Sequence, residues 1–185
     1  MELIRPNVTA ESLFERVVAR AKEKLHKATP NSEWTNMLKS TFAELAKEVD
    51  ANYVLSSSQH GGELLFDMAW RQSESCPDII LSMESEWGDE GDVLNDFKKL
   101  MNVKAGLKVM IFSTKKDAPA RSTMEAAIAK CLSSSVHHMK GEEYLLFNFP
   151  HGLPGMAYCS GYTFPRDGEQ TEIKFEEKRQ TKLWD

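Results

Sequence analysis

The chain has 185 residues, 41% of them hydrophobic, and a formal net charge of −5. This length fits one domain, residues 1–185, with a substantial core, and the negative charge indicates no broad electrostatic footprint for nucleic acid. The sequence contains no run of about 18 apolar residues and no apolar region near its N-terminus, which predicts neither a transmembrane helix nor a signal peptide. Its three cysteines, Cys76, Cys131 and Cys159, are far apart, so we expect reduced thiols in a cytoplasmic protein.

The first half of the chain predicts two amphipathic helices followed by three strands. The helices are indicated by apolar side chains at helical spacing, over about residues 9–28 and 33–50. The strands are indicated by a two-residue alternation of apolar side chains between turn residues. The predicted strands cover residues 53–57, 63–70 and 78–87.

The second half predicts alternating helices and strands. In chain order these are a helix over 92–104, a strand over 107–113, a helix over 118–132 and strands over 143–149, 156–164 and 172–175. The charged residues after 175 carry no predicted element. Three consecutive strands indicate an antiparallel meander, and the next strand is expected to return parallel by a right-handed crossover. The sequence therefore predicts an α/β domain with a mixed sheet flanked by helices.

Acidic residues gather near the end of the strand over 78–87. Glu84 and Glu86 lie on one face of that strand, roughly 7 Å apart, and repel each other unless solvent or a cation lies between them. Asp67 is an acid inside the preceding apolar strand, and pairing of the two strands places it beside Glu84. Three carboxylates at one site predict binding of Mg²⁺ or Mn²⁺ through oxygen ligands.

A fourth acid and a lysine are predicted to come from the neighbouring helices. Glu48 borders the apolar face of the helix over 33–50, so it is the best-placed acid of that helix to reach the sheet. The helix over 92–104 contributes Lys98 or Lys99, and helical spacing does not choose between them. Basic residues dominate the segment 98–121, which indicates a surface that holds phosphates beside the acids.

This arrangement resembles the PD-(D/E)XK nuclease superfamily, which has the restriction-endonuclease-like fold. Its core is a helix, a three-stranded meander, a helix and a strand (α-β-β-β-α-β), and the resemblance covers about residues 33–113. It leaves an extra N-terminal helix, and a C-terminal helix and strands over 118–175. Asp67 matches the family's aspartate, and Glu84-Ser85-Glu86 matches its acid-x-lysine motif, with glutamate where lysine is usual. No proline precedes Asp67, and the lysine is expected from Asp96-Phe97-Lys98-Lys99-Leu100, as in members that take it from the following helix.

The resemblance implies a Mg²⁺-dependent endonuclease that hydrolyses phosphodiester bonds of DNA, in preference to RNA. Asp67 and Glu84 would hold the metal, with Glu86 as a further ligand or a base that orients water. Lys98 or Lys99 would neutralise the charge that develops on the phosphate. Many nucleases of this fold use two sites for two strands, which implies a homodimer.

The sequence leaves other interpretations open. An inactive nuclease-fold protein that acts as a binding or regulatory module is favoured by the missing third-strand lysine, and a plain scaffold domain by the net negative charge. Glu84 and Glu86 also fit a solvated sheet edge, and Asp67 fits a cap or a pair with Arg71. Glu48, Lys98 and Lys99 fit solvent-facing helix positions, and the histidines His137, His138 and His151 fit the surface.

Overall fold

The structure is a computed structural model, and it describes residues 3–24, 29–50, 52–58, 65–73, 78–114, 118–135, 138–139, 141–150, 156–163 and 174–183. These residues form four helices and seven strands. The helices are α1 (Ala10–Lys24), α2 (Asn31–Val49), α3 (Glu90–Met101) and α4 (Ala118–Ser134). The strands are β1 (Val54–Ser56), β2 (Met68–Arg71), β3 (Ile79–Glu86), β4 (Ala105–Phe112), β5 (Glu143–Asn148), β6 (Met156–Thr163) and β7 (Lys174–Lys182).

All seven strands belong to one mixed sheet in the order β1-β2-β3-β4-β5-β6-β7. β1, β2 and β3 form the predicted antiparallel meander, and β4 returns parallel to β3 after α3. β5 is parallel to β4, and β6 and β7 continue the sheet in antiparallel pairs. The α/β class and the mixed sheet flanked by helices are therefore confirmed.

Two apolar clusters cover the two faces of this sheet. On one face, α1 packs through Phe14 against Phe147 of β5, and α2 packs through Phe42 against Trp70 of β2. On the other face, α3 and α4 pack through Phe97 and Ile128 against β4 and β5. Every residue of β4 is buried, because a central strand covered on both faces has no solvent side.

A third buried feature is a network of polar side chains under α3 and α4. Lys108 is fully buried, its Nζ lies 2.9 Å from Glu142 Oε1, and it donates to the hydroxyl of Tyr144 at 2.9 Å. Burial by itself would raise the pKa of Glu142. The hydrogen bond with His138 and the charge of Lys108 outweigh that effect and hold the pKa of Glu142 below its usual value. The surface position expected for His138 is therefore wrong, since its ring lies 3.3 Å from Glu142 and only a tenth of its side chain is exposed.

The strand expected over residues 63–70 starts only at Met68. Residues 63 and 64 lie outside the described residues, and Leu65 has a φ of 98°, which a β-strand does not use. Phe66 packs into the cluster on the α3 side, whereas Met68 packs into the cluster on the α2 side. The two-residue alternation is therefore interrupted between these two side chains, at Asp67.

The C-terminal strand is longer than the sequence predicted. β7 runs from Lys174 to Lys182 and pairs with β6 along its length, so it includes charged residues that had no predicted element. Pairing with an edge strand satisfies backbone groups whatever the side chains are, which explains why the hydrophobic pattern missed it. Among the described residues, no helix combines the length and the apolar character that a membrane crossing needs.

Candidate functional site

The pairing of β2 with β3 makes Asp67 and Glu84 neighbours. Met68 lies opposite Met83, so one further step along the ladder sets Asp67 opposite Glu84. The main-chain N–H of Asp67 donates to Glu84 Oε2 at 3.3 Å. The sequence prediction that these two residues lie side by side is confirmed.

The carboxylate of Asp67 turns toward α2. Its Oδ2 accepts hydrogen bonds from the main-chain N–H of Ser85 at 2.9 Å and from the Ser85 hydroxyl at 2.6 Å. Ser85 itself contacts Thr35 of α2, with 3.2 Å between the two hydroxyl oxygens. Just before β2 begins, the Asp67 side chain therefore accepts the hydrogen bond from the Ser85 N–H that a main-chain carbonyl of a paired strand would otherwise accept.

The cation that Asp67 meets on this side is Lys39 of α2. Its Nζ lies 3.2 Å from Asp67 Oδ1 and donates to the hydroxyl of Ser58 at 2.9 Å. Only 6% of the Lys39 side chain is exposed. A buried ammonium group needs a carboxylate and hydrogen-bond acceptors around it, and this site supplies both.

Sequence reasoning missed Lys39, although a signal was present. Lys39 stands in α2 next to Leu38 and one turn before Phe42 and Ala43, all of them buried. A helical wheel therefore places this lysine on the apolar face, where a charge is rare unless it is paired. That position predicts a buried acid opposite it.

Glu84 faces the other side of the sheet, toward α3, and is almost completely buried. Only 4% of the residue is exposed, and its Oε1 has no hydrogen-bond partner. Burial, and then repulsion from Asp67 and Asp96, raises the pKa of Glu84 to about 8. The interpretation of Glu84 as a solvated edge acid is therefore wrong.

Of the two candidate lysines, the fold brings Lys99 to this carboxylate. Lys99 Nζ lies 3.7 Å from Glu84 Oε1 and 2.6 Å from Asp96 Oδ1. The hydrogen bond with Asp96, followed by the charge of Glu84, raises the pKa of Lys99 against the effect of its partial burial. Lys98 is exposed on the outer side of α3, as expected for a solvated helix position.

The structure does not bring Glu48 to the cluster. Its carboxylate pairs with Arg16 of α1, and Glu44 pairs with Arg20, one turn further along α1. The prediction that Glu48 points at Asp67 and Glu84 is therefore wrong. The reason is that α1 packs along this flank of α2 and offers two arginines, which the wheel of α2 alone does not reveal.

Glu86 also has a different local role from the predicted one. Its Oε1 accepts from the main-chain N–H groups of Trp87 at 2.8 Å and Gly88 at 2.6 Å. These bonds hold the turn between β3 and α3, where a Cβ at Gly88 would lie 2.9 Å from the same oxygen. The structure does not bring the carboxylates of Asp67, Glu84 and Glu86 to one site as the sequence predicted, because each is held by different partners. Within the described residues, no group of three or more histidine, cysteine, aspartate or glutamate side chains is arranged to hold a metal ion.

The site is therefore built from two halves that meet at the ends of β2 and β3. Asp67 and Lys39 form the half on the α2 side, and Glu84 and Lys99 form the half on the α3 side. Comparison of the chain with protein-family models, curated proteins and solved structures finds no match in any of the three.

Proposed function

We propose that this chain is a metal-dependent phosphodiesterase that acts on DNA, in preference to RNA, with α2 to β4 as a restriction-endonuclease-like core. The observation that carries the proposal is the direct juxtaposition of Asp67 and Glu84 on paired strands, each with a lysine amine within 4 Å. The order of α2, the meander, α3 and β4 supports it, because it follows the α-β-β-β-α-β order of the family that the sequence resembles.

Glu84 is the residue that would hold a Mg²⁺ or Mn²⁺ ion, because the Asp67 carboxylate turns to the α2 side of the sheet and is already bound there by Ser85 and Lys39. The fit is favoured by the buried Glu84 Oε1, which has no hydrogen-bond partner, and by repulsion from Asp67 and Asp96, which a cation relieves. When bound, such an ion lowers the pKa of its water and stabilises negative charge on phosphate oxygens.

The two lysines have separate tasks in this proposal. Lys39, together with Ser85, fixes the position of the Asp67 carboxylate, because three of its contacts come from these two residues. Lys99 is half exposed beside Glu84, so its amine is available to a phosphate of the substrate and offsets charge in the transition state. Lys99, and not Lys98, is therefore the residue we assign to the phosphate.

The test is a nicking assay on supercoiled and linear DNA in Mg²⁺, Mn²⁺ or EDTA. We expect metal-dependent cleavage that is lost in Glu84→Gln and retained in Glu48→Gln, a matched control on α2 outside the site. Measurement of Mn²⁺ binding to both variants shows whether the loss accompanies loss of the ion. Absence of cleavage in every metal, with no Mn²⁺ binding, would overturn the proposal.

The second candidate is a nuclease-fold module that binds without cleaving. It is favoured by the closed hydrogen bonding of Asp67, whose carboxylate already has Ser85 and Lys39 as partners. Under this alternative, DNA binds with equal affinity in EDTA and Mg²⁺ and is not cut. A homodimer fits the first candidate, because cutting two strands at one position takes two sites, and sedimentation of the protein with a duplex tests it.

A further inference from the structure

A groove opens on the α3 side of the sheet, directly beside the candidate site. It has a volume of about 820 Å³, in the range of ligand-binding clefts. The described residues that line it are Leu65, Phe66, Arg71, Ile79, Lys99, Asn102 and Val103. Lys99 also lies 3.7 Å from Glu84, so this lysine joins the groove to the α3 side of the candidate site.

The described residues that line this groove carry charge of one sign only. Among its described lining residues, only Arg71 and Lys99 are charged, and both are cations, while most of the remaining wall is aliphatic or aromatic. Arg71 Nε is buried and has no hydrogen-bond partner. Two cations beside an apolar wall suit a ligand with an apolar body and a negative charge, and the guanidinium of Arg71 can donate to an acceptor on that body.

Leu65, which lines the groove, has an unusual backbone conformation and an exposed side chain. Its φ of 98° is in a region that a leucine rarely adopts, and 83% of the residue is exposed. Such backbone strain persists where the surrounding structure imposes it, and it is concentrated at functional positions. An exposed leucine held beside an apolar groove is suited to insertion between stacked aromatic groups.

We propose that this groove receives one unstacked nucleobase from the strand bound at Glu84 and Lys99, and that Leu65 fills the space the base leaves. The base packs between Phe66 and the aliphatic wall, and Arg71 donates to an acceptor on its edge. Lys99 contacts the adjoining phosphate. A fatty acyl chain fits this groove less well, because its body offers no acceptor to the guanidinium of Arg71. This inference depends on the proposed function for the choice of nucleic acid, but not on cleavage.

The test uses 2-aminopurine, a base whose fluorescence rises when it is unstacked. Single-stranded and duplex oligonucleotides that carry it at successive positions are titrated with the full chain in Ca²⁺ and in EDTA. We expect a fluorescence rise at one position. Val103→Trp, which fills the groove, and Arg71→Met should each weaken binding of the single strand about tenfold, in the range of a lost base contact. Asn95→Trp, on the exposed side of α3, is the matched control.

Leu65→Gly separates the two parts of the inference. It should relieve the backbone strain and keep single-strand binding, while it removes the fluorescence rise with duplex. Thermal melting of each variant checks folding. If Val103→Trp does not fold, Arg71→Met replaces it as the test of binding in the groove. Equal affinities for the Val103→Trp and Asn95→Trp proteins, or no fluorescence change at any position, would overturn the inference. Binding that depends on the groove but is not followed by cleavage would leave this inference standing and would refute the proposed phosphodiesterase activity.

Discussion

Lys39 Nζ lies 3.2 Å from Asp67 Oδ1, and this pair joins the helical layer of α1 and α2 to the end of the sheet where Glu84 is buried. Lys39 comes from the middle of α2, and Asp67 comes from the bend before β2. The pair therefore links packing of the helix to the position of one carboxylate of the candidate site. It also makes the charge of Lys39 a requirement for Asp67 to remain where it is.

The first prediction concerns Lys39→Met, which keeps the length of the side chain and removes its charge. Because Asp67 then loses its buried cation, we expect the free energy of unfolding to fall by about 2–4 kcal/mol. Cleavage should fall by at least about tenfold, since Asp67, and with it the neighbouring Glu84, is then held less firmly in position. Urea denaturation and the nicking assay measure the two effects. Lys98→Met is the control on an exposed lysine, and equal effects in both variants would contradict the role given to Lys39.

The second prediction concerns Asp67→Asn. The amide can still accept from the Ser85 N–H, but it leaves the Lys39 ammonium buried without its opposite charge. We therefore expect a loss of about 2 kcal/mol or more in stability, and a fall in cleavage of at least about tenfold, because the chain beside Glu84 is then held less firmly. Asp78→Asn, at an exposed position before β3, should change neither quantity. A variant that melts at the same temperature as the parent protein would show that the ion pair contributes little.

The third prediction is a pH dependence that comes from Glu84. The pKa of Glu84 in the folded protein is raised to about 8, above its usual 4.5, so the folded state holds a proton that the unfolded state has already released. Stability from this group is therefore present at low pH and is lost as pH rises from about 4.5 to about 8. Glu84→Gln should remove this slope, with a difference of about 1.4 kcal/mol for each pKa unit at most.

Urea denaturation of the parent protein and of Glu84→Gln at successive pH values tests that slope. Glu48→Gln is the control, because its carboxylate pairs with Arg16 at the surface. Parallel curves for the parent protein and Glu84→Gln would mean that Glu84 is ionised throughout. Addition of Mn²⁺ should flatten the curve of the parent protein, because a cation favours the ionised carboxylate.

The fourth prediction tests the buried network outside the site. Lys108→Met leaves the Glu142 carboxylate buried with no lysine beside it, so we expect a loss of about 3–5 kcal/mol. Lys108→Met combined with Glu142→Gln should recover part of that loss, because no charge then remains unpaired. Arg16→Met, at an exposed ion pair, should cost less than about 1 kcal/mol. Chemical denaturation of the three variants measures these differences, and an additive double variant would contradict the coupling.

The sequence alone determined the order of most elements, the class of the fold and the neighbourhood of Asp67 and Glu84. Each of these follows from a local pattern. Along β3, Leu81 and Met83 alternate with Ser82 and Glu84, which places Glu84 on the face opposite the two apolar side chains. The short connection from β2 makes antiparallel pairing of the two strands the simplest arrangement. A pattern of this kind depends only on residues that are close along the chain, so it can be read without knowledge of the packing.

The tertiary structure decided which side chains reach the two carboxylates. Lys39 meets Asp67, and Glu48 turns away to Arg16, because α1 packs on one flank of α2 and the bend at Leu65 redirects Asp67 toward the other. Lys99 rather than Lys98 approaches Glu84 because of the rotation of α3 on the sheet. These contacts join residues that are distant in sequence, and their geometry depends on how whole elements pack, which no single helical or strand period specifies.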